Sequence, residues 1–184
     1  MATWTIDKAH SEVGFKVKHL VISTVSGKFT EFEGKLEGDS NDFENAKISF
    51  SADINSINTG NEQRDGHLKS ADFFDAANHP KLSFVSTSIK HVDGSDYKVT
   101  GDLTIRGVVK PITLNVEFGG TQTDFYGQTV AGFEISGKIN RQDFGLKWSA
   151  VTEAGGVVVS DEVKLVINAE LVKQAVEAKV SEAV

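Results

Sequence analysis

The sequence predicts an all-β protein: a closed antiparallel barrel of about eight strands, with a short helical insertion around residues 61–77. Three observations predict it. Apolar and polar residues alternate along most of the chain, which is the period of a strand with one buried face. The alternating stretches are long, which favours a closed tube over a sandwich. One stretch, 61–80, loses the alternation and has few β-branched residues.

The elements follow in order. After the opening strand, Asp7 and Ser11 suit a turn. Val13, Phe15 and Val17 then alternate with Lys16 and Lys18. A longer strand is expected from Ser26 to Gly38, where the Phe29-to-Phe32 spacing breaks parity and predicts a bulge. Ala46, Ile48, Phe50, Ala52 and Ile54 alternate cleanly. Glu62, Gln63, Arg64 and Asp65 suit a first helical turn after Asn58-Thr59-Gly60. Leu68, Ala71, Phe73 and Phe74 supply apolar groups for a short helix pair that caps or plugs the barrel. Leu82 and Phe84 start another strand, with a parity slip between Val85 and Ile89. Asp93-Gly94 is a hairpin signal into Tyr97, Val99, Leu103 and Ile105. A tight basic turn leads to Ile112, Leu114, Val116 and Phe118, and Gly119-Gly120 is expected to close that strand. Ala131 to Ile139 and Val157 to Leu171 complete the set. Residues 1–172 thus read as one domain, and 173–184 as a helical or disordered tail.

Composition narrows the function. The formal net charge of -7 argues against duplex nucleic acid and disfavours an anionic membrane surface. No apolar run is long enough to span a bilayer as a helix. The absence of cysteine excludes disulfides and thiolate chemistry. The chain opens without a basic start and apolar stretch. It is therefore expected in the cytoplasm, or in the periplasm if an export signal has been removed. His10, His19, His67, His79 and His91 are scattered, with no zinc-protease spacing. No nucleophile elbow, phosphate loop or dinucleotide fingerprint is present, so neither catalytic residues nor a metal site is predicted. Twelve Phe against two Trp and two Tyr suit either a dry core or an apolar guest, because Phe asks for no hydrogen bond. Small residues on the inward parity, Ala52, Gly101, Ala131 and Gly137, either leave room along the axis or mark bends. Periodicity alone leaves three readings: a ligand-holding tube, a packed structural barrel, or an enzyme acting inside a pore.

Five ordered motifs carry a resemblance. They are Asp7-Lys8-Ala9-His10-Ser11 with Val13 and Phe15; His19 with Gly27-Lys28-Phe29; and Arg64-Asp65-Gly66-His67-Leu68-Lys69-Ser70-Ala71-Asp72-Phe73-Phe74-Asp75 with His79-Pro80. Gly101-Asp102-Leu103-Thr104-Ile105-Arg106-Gly107 with Lys110-Pro111, and Asn140-Arg141-Gln142-Asp143-Phe144-Gly145, complete them. With these motifs, spread between about residues 3 and 172, the chain resembles the YceI-like family of bacterial lipid-binding domains. The resemblance implies an extended lipocalin-like barrel. It also implies a long apolar pore holding a polyisoprenoid or similar lipid, and frequently a homodimer. No catalytic cofactor is expected; the bound molecule would be a polyisoprenoid, an isoprenoid quinone or a fatty-acid-like amide.

On that basis Phe15, Val17, Phe50, Leu103, Ile105, Leu114, Phe133 and Ile135 are the candidate lining, with ordinary core packing as the alternative for each. A lipid head group needs polar company at one mouth. Its candidates are His19, Arg64, His67, Lys69, Arg106, Lys110 and Arg141, whose cations suit a pyrophosphate. The alternative for Arg64 and Arg141 is a structural ion pair, with Asp65 or Asp143. Residues 64–74 are expected to be either a lid that gates entry or a fixed plug.

Overall fold

A computed structural model describes residues 1–149 and 158–175. Among these residues the chain forms eleven β segments and one α-helix. In order they are β1 (Thr3–Ile6), β2 (Glu12–His19), β3 (Ser23–Phe29), β4 (Phe32–Asp39), β5 (Asp42–Asp53), β6 (Ile57–Asn58), α1 (Glu62–Lys69), β7 (Lys81–Asp93), β8 (Asp96–Ile105), β9 (Val108–Thr123), β10 (Thr129–Asn140) and β11 (Val159–Lys173).

The eleven segments make eight ribbons. β1 and β2 lie end to end along β11, with Trp4 opposite Lys173 and Val17 opposite Val163. β4 returns along β1 and β3 along β2. β5 pairs with β4, and β6 with β3, as the third ribbon. β7 to β11 then form an antiparallel meander that closes on the first ribbon. The result is the expected eight-stranded closed antiparallel barrel.

Local parity explains where the expectations and the structure differ. The slip between Phe29 and Phe32 is a break between two strands, not a bulge. The Thr30 amide donates to the Ser56 carbonyl and the Asp53 amide to the Glu31 carbonyl, so the broken ribbon is stitched to its neighbour. Both phenylalanines stay buried on the two sides of the break. The slip after Val85 is a bulge, with the register shifting between Ser86 and Ser88. Gly119-Gly120 does not end β9. The strand runs on to Thr123, and the two glycines absorb a register shift against β10, with Gly120 at φ +100. The basic turn pairs Arg106 and Gly107, both at positive φ, which matches the twist of a tight hairpin.

The insertion holds one helix rather than a pair. The Asn61 side chain caps α1 by accepting from the Arg64 amide at 2.9 Å. The helix stops at Ser70, whose amide and hydroxyl both donate to the His67 carbonyl. Turns follow, because Asp75 sits at φ +51 and cannot extend a helix. At the far end Lys173 remains in the ladder, and the Gln174 amide donates to the Thr3 carbonyl at 2.8 Å. Val157 and the tail from 176 onward lie outside the described residues.

The joint between β1 and β2 has its own chemistry. The Asp7 side chain accepts from the Ala9 amide at 2.9 Å and lies 2.7 Å from His10 Nδ1. That hydrogen bond to Asp7 raises the His10 pKa above the usual 6.5. The same bond from His10 lowers the Asp7 pKa below the usual 3.8. The histidine part of this stabilisation is complete below 6.5 and fades as the pH rises through the raised value. The aspartate part is complete above 3.8 and fades as the pH falls through the lowered value. The joint is therefore tightest between those limits. In a proton NMR titration His10 should titrate above 6.5, and Asp7→Asn should bring it back toward 6.5. An unchanged midpoint in Asp7→Asn would rule out the coupling.

Candidate functional site

Parity sends apolar side chains inward from every ribbon, and they enclose a cavity of about 260 Å³. All eight candidate lining residues border it: Phe15 and Val17 from β2, Phe50 from β5, Leu103 and Ile105 from β8, Leu114 from β9, and Phe133 and Ile135 from β10. Val163, Leu165 and Ile167 of β11 join them. Their clean alternation was enough to have named them as well. The inward glycines do not leave free space. A Cβ on Gly101 would collide with the Phe84 ring and the Val85 carbonyl, and one on Gly137 with a Leu114 methyl. These glycines are seats for cross-strand side chains.

One end of the tube is closed by aromatic rings. Phe43 stands edge-on to Phe118 at 4.9 Å, Phe133 at 5.6 Å and Tyr97 at 5.8 Å. Such T-shaped contacts are favourable beyond their buried area. Phe43 follows the β4–β5 turn directly, where alternation gives no hint of a plug. At the other end the insertion contributes Leu68, Phe73 and Phe74, and the chain after β10 contributes Leu146. Phe74 meets Phe29 edge-on at 6.3 Å.

The topology carries the polar head-group candidates to this second end, but most are already engaged. Arg64 donates to the Thr59 hydroxyl at 2.8 Å and the Thr59 carbonyl at 2.7 Å. It holds the loop before α1, and Asp65 serves Thr59 as well instead of pairing with Arg64. Arg106 donates to the Phe73 carbonyl at 2.8 Å, tying the insertion to the β8–β9 hairpin. His67 lies 2.9 Å from Asp72 and stands edge-on to Phe73 and Trp148, so it bridges the insertion and the segment after β10. His19 ends β2 opposite Ser23 and Val159. Lys69 is half-buried and Lys110 exposed.

Arg141 is different: it is 3 % exposed and borders the cavity. Its guanidinium donates to the carbonyls of Leu146 at 2.6 Å, Trp148 at 2.7 Å, Ser160 at 3.0 Å and Val159 at 3.4 Å. Asp161, not Asp143, is its ion-pair partner at 3.4 Å. Nε, Nη1 and Nη2 each donate to at least one of these carbonyls, so the guanidinium is committed to the backbone. Burial lowers its pKa, and Asp161 opposes that shift. Arg141 therefore clamps the start of β11 to the chain after β10.

Lys35, Ser49, Tyr97 and Arg141 are the residues with polar side chains among the described lining. Outside the tube, Asp7, His10 and Glu170 are close enough to share a cation, but the His10 nitrogen facing them already bonds to Asp7. No described helix is long and apolar enough to cross a membrane. The outer wall carries lysines and carboxylates along its ladders, the reverse of a membrane-spanning barrel's apolar belt.

Comparison with known proteins agrees with this architecture. Residues 4–171 match the family described as YceI-like domain. A UPF0312 protein of Staphylococcus aureus is 42% identical over 171 residues, covering 92% of this chain and 97% of that one. The crystal structure of a Campylobacter jejuni YCEI protein, solved as a mutant with a monobromobimane guest, is 37% identical. It superposes with a TM-score of 0.74 over 92% of this chain and 96% of its own. A polyisoprenoid binding domain from Saccharophagus degradans shares the fold at 18% identity, with a TM-score of 0.64 over 93% and 98% of the two chains.

Proposed function

The chain belongs to the YceI-like domain family, and on that premise we propose that it is a non-catalytic binding protein holding a long-chain apolar lipid in its tube. The guest is a polyisoprenoid, an isoprenoid quinone or a fatty-acid-like amide, held for transport, storage or sensing. The observation that carries this reading is the continuous apolar lining contributed by β2, β5 and β7 to β11. Each buried methylene contributes about 0.8 kcal/mol, so a long chain binds tightly without polar contacts. Apolar burial is non-directional, so length and girth select the guest. The polyisoprenoid binding domain of S. degradans supplies a ligand class for this fold, and polyisoprenoids satisfy both criteria.

Acid–base catalysis would need a proton-transferring pair facing the guest. The two charged residues among the described lining are committed elsewhere. Lys35 pairs with Glu37 at 2.7 Å, and Arg141 is spent on four carbonyls. This favours carriage over chemistry. The insertion, tied down through Arg106 and His67, serves as the cover of the tube.

Organic extraction and native mass spectrometry of protein purified from its own host test the proposal. A retained apolar molecule of consistent mass is the expected result. Bare protein in every preparation would overturn it. The same native masses report whether the homodimer implied by the resemblance forms.

A further inference from the structure

The turn between β2 and β3 has three successive apolar residues at its tip. Leu20 is 38 %, Val21 73 % and Ile22 85 % exposed. Leu20 and Val21 also sit at φ +53 and +66, a region that side chains avoid and β-branched ones most of all. Glycine or asparagine would relieve both the strain and the exposure. Two unfavourable features at one spot call for a compensating role.

The tip stands at the mouth of the tube. Val17, three residues before it, lines the cavity, and so does Val159, which lies opposite His19. The Leu20 amide donates to the Val158 carbonyl.

A second observation comes from the ladder registers. Lys138, Lys164 and Lys16 occupy directly opposed positions on β10, β11 and β2. Lys18 lies one step nearer the tip on the same face, and Lys28 sits on neighbouring β3. Like charges side by side are mutually unfavourable. Glu162 offsets only Lys138, at 3.2 Å. Toward the other end the same wall turns acidic, with Asp96, Glu117 and Glu134 opposed in one row. Glu134 is four residues from Lys138, about 13 Å along the strand. That exceeds the screening length of about 8 Å at physiological salt. The net charge of -7 thus hides a basic band behind an apolar tip.

We propose that this end of the barrel docks on an anionic lipid bilayer. Leu20, Val21 and Ile22 enter the interface, and the lysine band rests on the head groups. Interfacial binding uses these two contributions, buried apolar area and attraction to anionic lipid. Docking would set the mouth of the tube against the membrane. It goes beyond the lipid-holding reading, which stands or falls on extraction of the tube contents.

Vesicle co-sedimentation tests it with the full chain. The protein should pellet with phosphatidylcholine vesicles containing phosphatidylglycerol, and not with phosphatidylcholine alone. Val21→Asp with Ile22→Asp should weaken binding at least about tenfold, and Lys16→Glu with Lys164→Glu should also weaken it and flatten its salt dependence. Ile22→Trp keeps the tip apolar and stays informative if the aspartate variants misfold: its fluorescence should shift blue on the anionic vesicles. No binding to them, or binding indifferent to the tip, overturns the proposal. Self-association abolished by Ile22→Asp without vesicle binding overturns it too, and assigns the tip to contact between copies. Guest retention measured on the same samples separates failure of docking from failure of the lipid-holding reading.

Discussion

Arg141→Met should lower the stability of the barrel by about 3–5 kcal/mol, measured as a shift in urea midpoint at constant slope. The change keeps much of the volume and removes every donor. It leaves the carbonyls of Leu146, Trp148, Val159 and Ser160 without the partner they have now. An unsatisfied buried polar group costs about 1–3 kcal/mol. The four do not simply add, because water reaches some of them once the clamp is gone. The Asp161 pair contributes little, since that carboxylate is largely exposed. A domain is stable by only about 5–15 kcal/mol, so the loss is a large fraction of the total. Arg141→Lys restores a charge but not the planar fork, and should recover only part of the loss. A shift below about 1 kcal/mol in Arg141→Met would show that the clamp is dispensable.

Phe133→Asp should empty the tube while the barrel remains folded. Phe133 borders the cavity and packs against Phe118 and Phe43 beside the aromatic plug. An ionised carboxylate there costs several kcal/mol unless water follows it in. Water that follows displaces guest. Uncovering about three methylenes at about 0.8 kcal/mol each weakens binding roughly fiftyfold. Phe133→Ala opens space but stays apolar and should retain the guest. Comparing the extracts of the two variants isolates charge from lost packing. Full retention in folded Phe133→Asp would mean that this section of the wall does not touch the lipid.

Much of the barrel was legible because its strands keep one face in and one face out. Tyr97 to Ile105 and Ala131 to Ile139 obey a period of two, so the side on which each residue falls follows from counting. The closure of the end opposite the insertion was not legible. Phe43 reaches Phe118 and Phe133 from far away in sequence, and no local pattern encodes such a meeting. The break at Thr30-Glu31 looked like a bulge, since both interruptions shift parity by one residue and only the partner strands tell them apart. Charge near motif positions is all that marks the head-group candidates in the sequence. A cation's usefulness depends on whether its donors are free, and those of Arg64, Arg106 and Arg141 answer to backbone carbonyls or a hydroxyl, three of them more than fifteen residues away.

The order of the ribbons also sets an order in time. From β3 to β11 each ribbon pairs with the one made just before it, through tight turns except where residues 59–80 separate β6 from β7 and 141–158 separate β10 from β11. The seam of β11 with β1 and β2 joins positions some 150 residues apart in the chain, such as Val13 with Ile167 and Ile6 with Leu171. Non-local pairing is the slow kind, because its loop entropy is spent before its contacts reward it. Until 159–173 has been synthesised and has swung across, the apolar interior is a trough open along its whole length. On the lipid-holding proposal, a guest present at that moment would be laid in sideways and sealed by the last strand, with no need to thread past the cover.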